Sequence, residues 1–148
     1  MKNKFMDEAF NEANKAFNLN EVPIGAIIVK DNKIIAKAHN MKEYDNCCLS
    51  HAELIAIKSA SKYLNNWSLY DCDIYVTLDP CPMCASAIKQ SRIKNVFSAS
   101  NNSDINNLKI ISSIFESDST NPSVNFISNI DNSRTQKLLN DFFIKQRK

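Results

Sequence analysis

Apolar side chains recur along the chain with two different periods. Near the amino terminus they come every three or four residues, the spacing that places side chains on one face of a helix: Met6, Ala9, Phe10, Ala13 and Phe17. Two short apolar runs follow, IGAIIV (24–29) and KIIAKA (33–38), separated by Asp31 and Asn32, which suit a tight turn. The pattern predicts an amphipathic helix followed by a β-hairpin.

A second helix is predicted after an irregular loop over residues 40–50. Ser50 stands where an N-cap belongs, and HAELIAIKSASKYL (51–64) has the helical period. We expect its buried face to carry Leu54, Ile57, Ala60 or Ser61, and Leu64.

The rest of the chain alternates strands and helices. DIYVTL (73–78) is β-branched and aromatic, which predicts a buried strand, and CASAIKQSRI (84–93) continues a helix with Pro82 in its first turn, where proline is tolerated. Further elements are a strand at 95–100, a helix at 108–115, a weaker strand at 123–128 and a final helix at 132–146. Trp67, Tyr70 and Tyr75 are expected in the core, with a pocket rim as the alternative place for Tyr70. Alternating strands and helices predict a layered α/β protein.

Composition narrows the class of protein without deciding its function. A length of 148 residues with 44% hydrophobic content suits a single domain over residues 1–148, and a net charge of +2 neither requires nor excludes a nucleic-acid partner. Polar and acidic residues interrupt the amino-terminal segment, so we expect no signal peptide, no membrane span and a cytoplasmic location. In a reducing compartment, the odd count of 5 cysteines favours free thiols or metal ligands over disulfides.

Two of these cysteines form the motif DPCPMC (79–84). Cys81 and Cys84 fall in the first turn of a predicted helix, where unpaired N–H groups favour thiolates. Such a pair suits a redox motif, half of a structural zinc site or part of a catalytic one. There is no second CxxC, but His51 and Glu53 begin the preceding helix. One histidine and two cysteines would leave a fourth zinc position open for water, as in catalytic sites, with Glu53 as a proton carrier.

The ordered set of HAE, strand and PCxxC is the signature of zinc-dependent deaminases. The segments VPIGAIIV, YVTLDPCPMCASAI, SRIKNVF and LLNDFF make the chain similar to bacterial tRNA-specific adenosine deaminases, which form inosine at the wobble base. The resemblance implies a cytidine deaminase-like fold, in three layers (α/β/α) with a mixed five-stranded sheet. It also implies one Zn²⁺ per chain, a tRNA anticodon stem-loop as partner and a homodimer.

The same resemblance assigns a role to each candidate residue. His51, Cys81 and Cys84 would bind zinc, and Glu53 would pass a proton from water to the purine N1 and another to the departing ammonia. Asn40 would contact the purine edge. Further substrate contacts are expected at the pocket residues Ile24, Ala52 and Leu78 and at the RNA-binding tail residues Phe142, Phe143, Arg147 and Lys148.

Two other functions stay open. A free-base deaminase acting on guanine or cytosine shares the PCPMC motif but would need no anticodon-binding tail such as FFIKQRK (142–148). A noncatalytic subunit with the deaminase fold would have no need of the complete set of zinc-binding and acid–base residues. Cys47 and Cys48 lie close to His51 in sequence and could act as rival thiolates, although adjacent side chains in an extended loop diverge.

Overall fold

The computed structural model describes residues 3–101 and 105–147, in which every predicted helix and strand is present. The helices are α1 (Lys4–Asn18), α2 (Ala52–Leu64), α3 (Pro82–Gln90), α4 (Ile105–Ile114) and α5 (Asn132–Gln146). The strands are β1 (Gly25–Lys30), β2 (Lys33–His39), β3 (Cys72–Val76), β4 (Asn95–Ser98) and β5 (Asn125–Ile127). Across the described ranges, no helix has both the length and the apolar character that crossing a bilayer requires.

The strands form one mixed sheet in the order β2-β1-β3-β4-β5. Strand β1 is antiparallel to both β2 and β3, whereas β3, β4 and β5 are mutually parallel. The predicted hairpin is confirmed, with Lys30 opposite Lys33. Asp31 and Asn32 form its turn with positive φ angles of 51° and 62°, which the short polar side chains of Asp and Asn tolerate best among non-glycine residues.

Alternate residues of the strands contribute to two hydrophobic clusters, one on each face of the sheet. Ala26 and Ile28 of β1 point into a cluster with residues of α2, α3 and α4. Ile27 and Val29 point the other way, into a cluster with α1 and, at its margin, Leu138 of α5. The three-layer α/β/α architecture is therefore confirmed.

Helix α1 packs unusually close to β1 because Gly25 has no side chain. A Cβ atom at this position would lie 2.0 Å from the backbone oxygen of Ala9. This contact fixes the start of β1, and the residue before it, Ile24, reaches the candidate site described below.

The second helix differs from the prediction in its cap and in its buried face. His51, not Ser50, occupies the N-cap position, and the Ser50 hydroxyl instead donates to the Asp45 carboxylate at 2.7 Å, which stabilises the preceding loop. Ala60 is buried as predicted, but the larger residues Leu54, Ile57 and Leu64 are only half-buried. The other buried residues of the helix are Ala52, Glu53 and Ala56. Alanines allow the helix backbone to approach the sheet, and the larger side chains flank that contact.

Two aromatic residues expected in the core lie on the surface. Trp67 is 61% exposed and Tyr70 is 69% exposed, because both belong to the connection between α2 and β3 rather than to either element. The indole of Trp67 stacks under the Arg92 guanidinium, 5.1 Å from the ring centre. Tyr75 is buried as predicted, with its ring stacked on Phe97.

Candidate active site

The predicted metal ligands lie where two helices begin next to each other. His51 directly precedes α2, Cys81 directly precedes α3, and Cys84 lies in the first turn of α3. Pro82 opens α3 at a position where its missing N–H costs no hydrogen bond. The positive ends of both helix dipoles therefore face this point, which favours thiolate and carboxylate groups there.

The three ligand atoms have the spacing of a tetrahedral metal site. The Nδ1 atom of His51 lies 3.7 Å from the Cys81 sulfur and 3.5 Å from the Cys84 sulfur. A zinc ion with ordinary Zn–N and Zn–S bond lengths would separate tetrahedral nitrogen and sulfur ligands by about 3.6 Å. An imidazole with two thiolates is also a donor set that zinc prefers, so the residues fit this ion.

Cys47 and Cys48 are not part of this group. Within 3–101 and 105–147, the candidate metal cluster whose ligand atoms lie within 4.8 Å of one another consists of the three predicted residues. Both loop cysteines are free thiols, and Cys48 is exposed. The geometry gives no support to the alternative in which they compete as ligands.

The two site thiols differ sharply in acidity. The pKa of Cys81 is lowered to about 5, chiefly because the Cys84 thiol donates a hydrogen bond to its sulfur. The same hydrogen bond and burial raise the pKa of Cys84. A cation bound by both sulfurs would take the place of the proton that they share.

Glu53 is a buried acid in the first turn of α2. Glu53 is 4% exposed, and this burial raises the pKa of its carboxyl to about 7. A hydrogen bond from its own backbone N–H lowers the pKa and so acts against the burial. A carboxyl group with a pKa near neutrality can both accept and release a proton, which is the property that general acid–base catalysis requires.

A pocket of about 230 Å³ opens beside these groups. Most of the predicted site residues line it: Ile24, Asn40, His51, Ala52, Glu53, Leu78 and Cys81. Cys84 lies deeper and is fully buried. The pocket is below the roughly 300–1,000 Å³ range of drug-sized ligand sites, which suits a group the size of one base. The contacts of these residues with a substrate stay predictions.

Three pocket residues were not predicted from the sequence, Val22, Lys42 and Asp79. Lys42 is exposed at the pocket mouth, where its charge could meet a phosphate. Asp79 is 5% exposed, accepts a hydrogen bond from the Ser128 hydroxyl at 2.6 Å, and has its pKa raised by burial. The signal for Asp79 was its position after Leu78 and before Cys81. Neither Val22 nor Lys42 had a comparable signal.

Phe142, Phe143 and Arg147, the described residues of the predicted RNA-binding tail, do not line the pocket. Phe142 is 5% exposed and packs edge-on against Phe17, whereas Phe143 is 48% exposed. Arg147 is exposed at the end of α5, and Lys148 lies outside the described residues. The tail's contact with RNA stays a prediction, and Phe143 is the ring of the pair with surface to offer a base.

The sequence matches the model of the MafB19-like deaminase family over residues 1–147. It is 40% identical over 144 residues to a tRNA-specific adenosine deaminase of Rickettsia typhi, covering 96% of this chain and 97% of that protein. A tRNA-specific adenosine deaminase of Bacillus subtilis is 48% identical over 92 residues, or 62% of this chain. The chain spans only 57% of the length of that Bacillus relative and 7% of a chloroplastic tRNA(adenine(34)) deaminase of Arabidopsis thaliana.

Two solved structures resemble the fold over most of the chain. One comes from a study of A-to-I editing by tRNA:A34 deaminases at the wobble position of transfer RNA; it has a TM-score of 0.81 and 31% identity, covering 91% of this chain and 98% of that one. The other is guanine deaminase from Bacillus subtilis, with a TM-score of 0.66 and 38% identity, covering 74% of this chain and 71% of that one.

Proposed function

The chain belongs to the MafB19-like deaminase family, and from that premise we propose that it converts adenosine to inosine at the wobble position of a tRNA anticodon. The observation that carries the proposal is the buried Glu53 carboxyl, which lies beside three candidate metal ligands in a base-sized pocket. Similarity to a tRNA-specific adenosine deaminase over nearly the full length of both chains supports the choice of substrate.

His51, Cys81 and Cys84 are the residues that would hold a zinc ion. When bound, zinc supplies a Lewis acid that lowers the pKa of a water molecule in the site to about 7.

Glu53 moves the protons of the reaction. Its carboxylate takes a proton from the attacking water and delivers it to the purine N1, while the water oxygen forms a bond to C6. The second proton of the water then passes through Glu53 to the amino group, the C6–N bond breaks, and ammonia leaves. Adenosine and one water thus give inosine and one ammonia, and Glu53 ends in its starting protonation state.

Asn40 is suited to orient the base. Its side-chain amide donates to the Val22 carbonyl at 3.4 Å, and its side-chain oxygen accepts from the Lys42 backbone N–H at 3.4 Å. Both hydrogen bonds are long, so a purine edge can replace them at small cost. The base must first leave the stack of the anticodon loop, which costs least in an unpaired strand.

The partners in this proposal are a tRNA anticodon stem-loop and a second copy of the chain, acting in the cytoplasm. The exposed Phe143 and Arg147 at the end of α5 support contact with RNA, since an aromatic face can stack on a base and a guanidinium can pair with phosphate. The homodimer rests on the family resemblance, and the cytoplasmic location stays a prediction from the sequence.

Deamination of free guanine is the second candidate. It is favoured by 38% identity to the guanine deaminase of Bacillus subtilis, although that match covers less of the chain than the tRNA deaminase structure does.

The test is to incubate the zinc-loaded protein with an anticodon stem-loop that has adenosine at the wobble position, and in parallel with free guanine and free cytosine. We expect inosine in the RNA and unchanged free bases. Rapid loss of guanine with no inosine would transfer the assignment to the second candidate.

A further inference from the structure

Glu21 is a buried acid outside the groups that perform the chemistry. It lies between α1 and β1 and is 1% exposed. Its two carboxylate oxygens accept hydrogen bonds from the backbone N–H groups of Glu43 at 3.0 Å and Tyr44 at 2.7 Å. A buried carboxylate requires such partners, and charge-assisted hydrogen bonds of this kind are stronger than neutral ones.

These two hydrogen bonds hold the loop that carries part of the pocket wall. The loop leaves β2 at Asn40, whose backbone N–H donates to the Ile24 carbonyl at 3.0 Å. It closes where the Met41 N–H donates to the Ser50 carbonyl at 2.9 Å. Lys42 lies between these points, and both Asn40 and Lys42 line the pocket. Val22, the residue after Glu21, lines it as well.

Other hydrogen bonds of this stretch join the loop to itself, such as those from the Ser50 hydroxyl to the Asp45 carboxylate at 2.7 Å and from the Cys47 N–H to the Lys42 carbonyl at 3.0 Å. Side chains 42–46 are all exposed, so no buried apolar side chain packs this stretch against the core. The carboxylate is well matched to the task, because it offers two acceptors to two adjacent N–H donors. A glutamine would offer one acceptor, and its amide would point an N–H group at the second donor.

We propose that Glu21 is a positioning residue for substrate binding, which fixes the loop so that Asn40 faces the base and Lys42 stays at the pocket mouth. The inference rests on the proposed function for the identity of the substrate. Glu53 and the metal cluster are held by α2 and α3, which make no hydrogen bond to Glu21 among those described. Loss of the carboxylate should therefore weaken binding and leave the chemical step largely unchanged.

The experiment compares Glu21→Gln with Glu43→Gln in the zinc-loaded protein. The control removes the same charge from an exposed side chain in the same loop and keeps the backbone N–H that Glu21 binds. For Glu21→Gln we expect KM for the stem-loop to rise about tenfold with kcat within about twofold, as loss of a charged hydrogen bond implies. The control should match the wild type.

Amide hydrogen exchange gives a readout that does not depend on activity. In Glu21→Gln the N–H groups of Glu43 and Tyr44 should exchange at least about tenfold faster, with zinc content and exchange in β1 unchanged. Unchanged exchange at both amides, or a fall in kcat with unchanged KM, would overturn the proposal. Faster exchange throughout the protein would assign Glu21 to general stability instead.

If Glu21→Gln does not fold, Glu21→Asp replaces it, because it keeps the carboxylate but moves it one methylene away from the loop. In Glu21→Asp the rise in KM and the faster amide exchange should both be smaller than in Glu21→Gln. Unchanged KM and unchanged exchange would contradict the inference. If the wild-type protein forms no inosine, the proposed function fails, while the exchange measurement still decides whether Glu21 anchors the loop.

Discussion

At the scale of single residues, Glu53 has the central role in the proposed reaction. The proposed proton transfers require a carboxyl group with a pKa near neutral pH. Burial in the first turn of α2 raises the pKa of the Glu53 carboxyl to about 7. Replacement by glutamine keeps the size of the side chain but removes the proton carrier. We expect Glu53→Gln to lower kcat by at least about 10²–10⁴ while the protein keeps its zinc.

The check is a steady-state assay together with metal analysis of the same sample. Zinc lost in proportion to activity would contradict the assignment, because it would make Glu53 a metal ligand.

The ligand set makes a separate prediction. Wild-type protein should contain about one zinc per chain, as a site with three protein ligands implies, and Cys84→Ala should lose most of it. Cys48→Ser is the matched control, because Cys48 is an exposed thiol outside the cluster and should keep the metal. Metal content is measured on freshly reduced protein, and full zinc in Cys84→Ala would contradict the predicted ligands.

Residues with a local signature could be predicted from the sequence, and those without one could not. His51, Cys81 and Cys84 stand at fixed spacings before predicted helices, and the structure brings their ligand atoms together. Glu21 and Lys42 have no such spacing. Their importance arises from contact between segments more than twenty residues apart, such as the hydrogen bonds from the 43–44 backbone to Glu21.

At the scale of elements, the existence of a helix was easier to predict than the face it buries. The period of α2 is clear, but Ala52 and Ala56 are buried while Leu54 is only half-buried. Hydrophobicity favours leucine for the core, whereas close packing against a sheet favours alanine, and the sequence does not reveal how closely the helix approaches. The missed N-cap has a similar cause, because Ser50 hydrogen-bonds to a side chain in the preceding loop.

Helix α3 is tied to the loop before β5 by a lysine with little exposure. The ammonium of Lys89 donates to the Glu116 carbonyl and lies 2.9 Å from the Asp118 carboxylate. The hydrogen bond from Lys89 holds the pKa of Asp118 below its ordinary value. A carboxyl whose pKa is lower in the folded state contributes stability above its ordinary pKa of about 4, and that contribution is lost as the pH falls further.

Asp118→Asn should therefore lower Tm at neutral pH, and the difference from the wild type should shrink steadily below about pH 4. Thermal unfolding across this pH range tests the expectation. Asp141→Asn is the control, since Asp141 forms an exposed ion pair with Lys137 and should change Tm little. An Asp118→Asn difference that does not depend on pH would contradict the role of the ion pair.

The end of α5 should contribute to RNA binding by charge. Replacing Arg147 and Lys148 by alanine should weaken stem-loop binding and leave the single-turnover rate at saturating RNA nearly unchanged. Each lost phosphate contact should flatten the log–log salt dependence by roughly 0.7 for single-stranded RNA. Lys137→Ala is the control, because Lys137 is on the same helix and already paired with Asp141. A salt slope equal to that of the wild type in the double variant would mean that these residues only solvate the helix end.

At the scale of the whole molecule, alternation of strands and helices was sufficient to predict a layered α/β protein. The strand order could not be predicted from the spacing of apolar residues, because it depends on which strands pair. Strand β1 lies between β2 and β3 and is antiparallel to both, while the parallel crossovers are confined to β3, β4 and β5. The mixed sheet was expected from the family resemblance, and the structure confirms it.

The pocket is a product of this arrangement. Its walls come from the segment before β1, the loop after β2, the start of α2 and the connection from β3 to α3. Because β1 is antiparallel to both β2 and β3, it starts at the end of the sheet where β2 and β3 finish. The acid, the three candidate metal ligands and the base-sized space therefore meet at that end.

The most direct measurement of the central claim is mass analysis of the nucleosides from a stem-loop treated with zinc-loaded protein. Two RNAs are compared, one with adenosine at the wobble position and one with that adenosine exchanged with a neighbouring anticodon base. The account predicts that inosine replaces adenosine in the first RNA alone, and that Glu53→Gln, which retains its zinc, forms almost none. Unchanged adenosine in the first RNA, or equal inosine from wild type and Glu53→Gln, would contradict it.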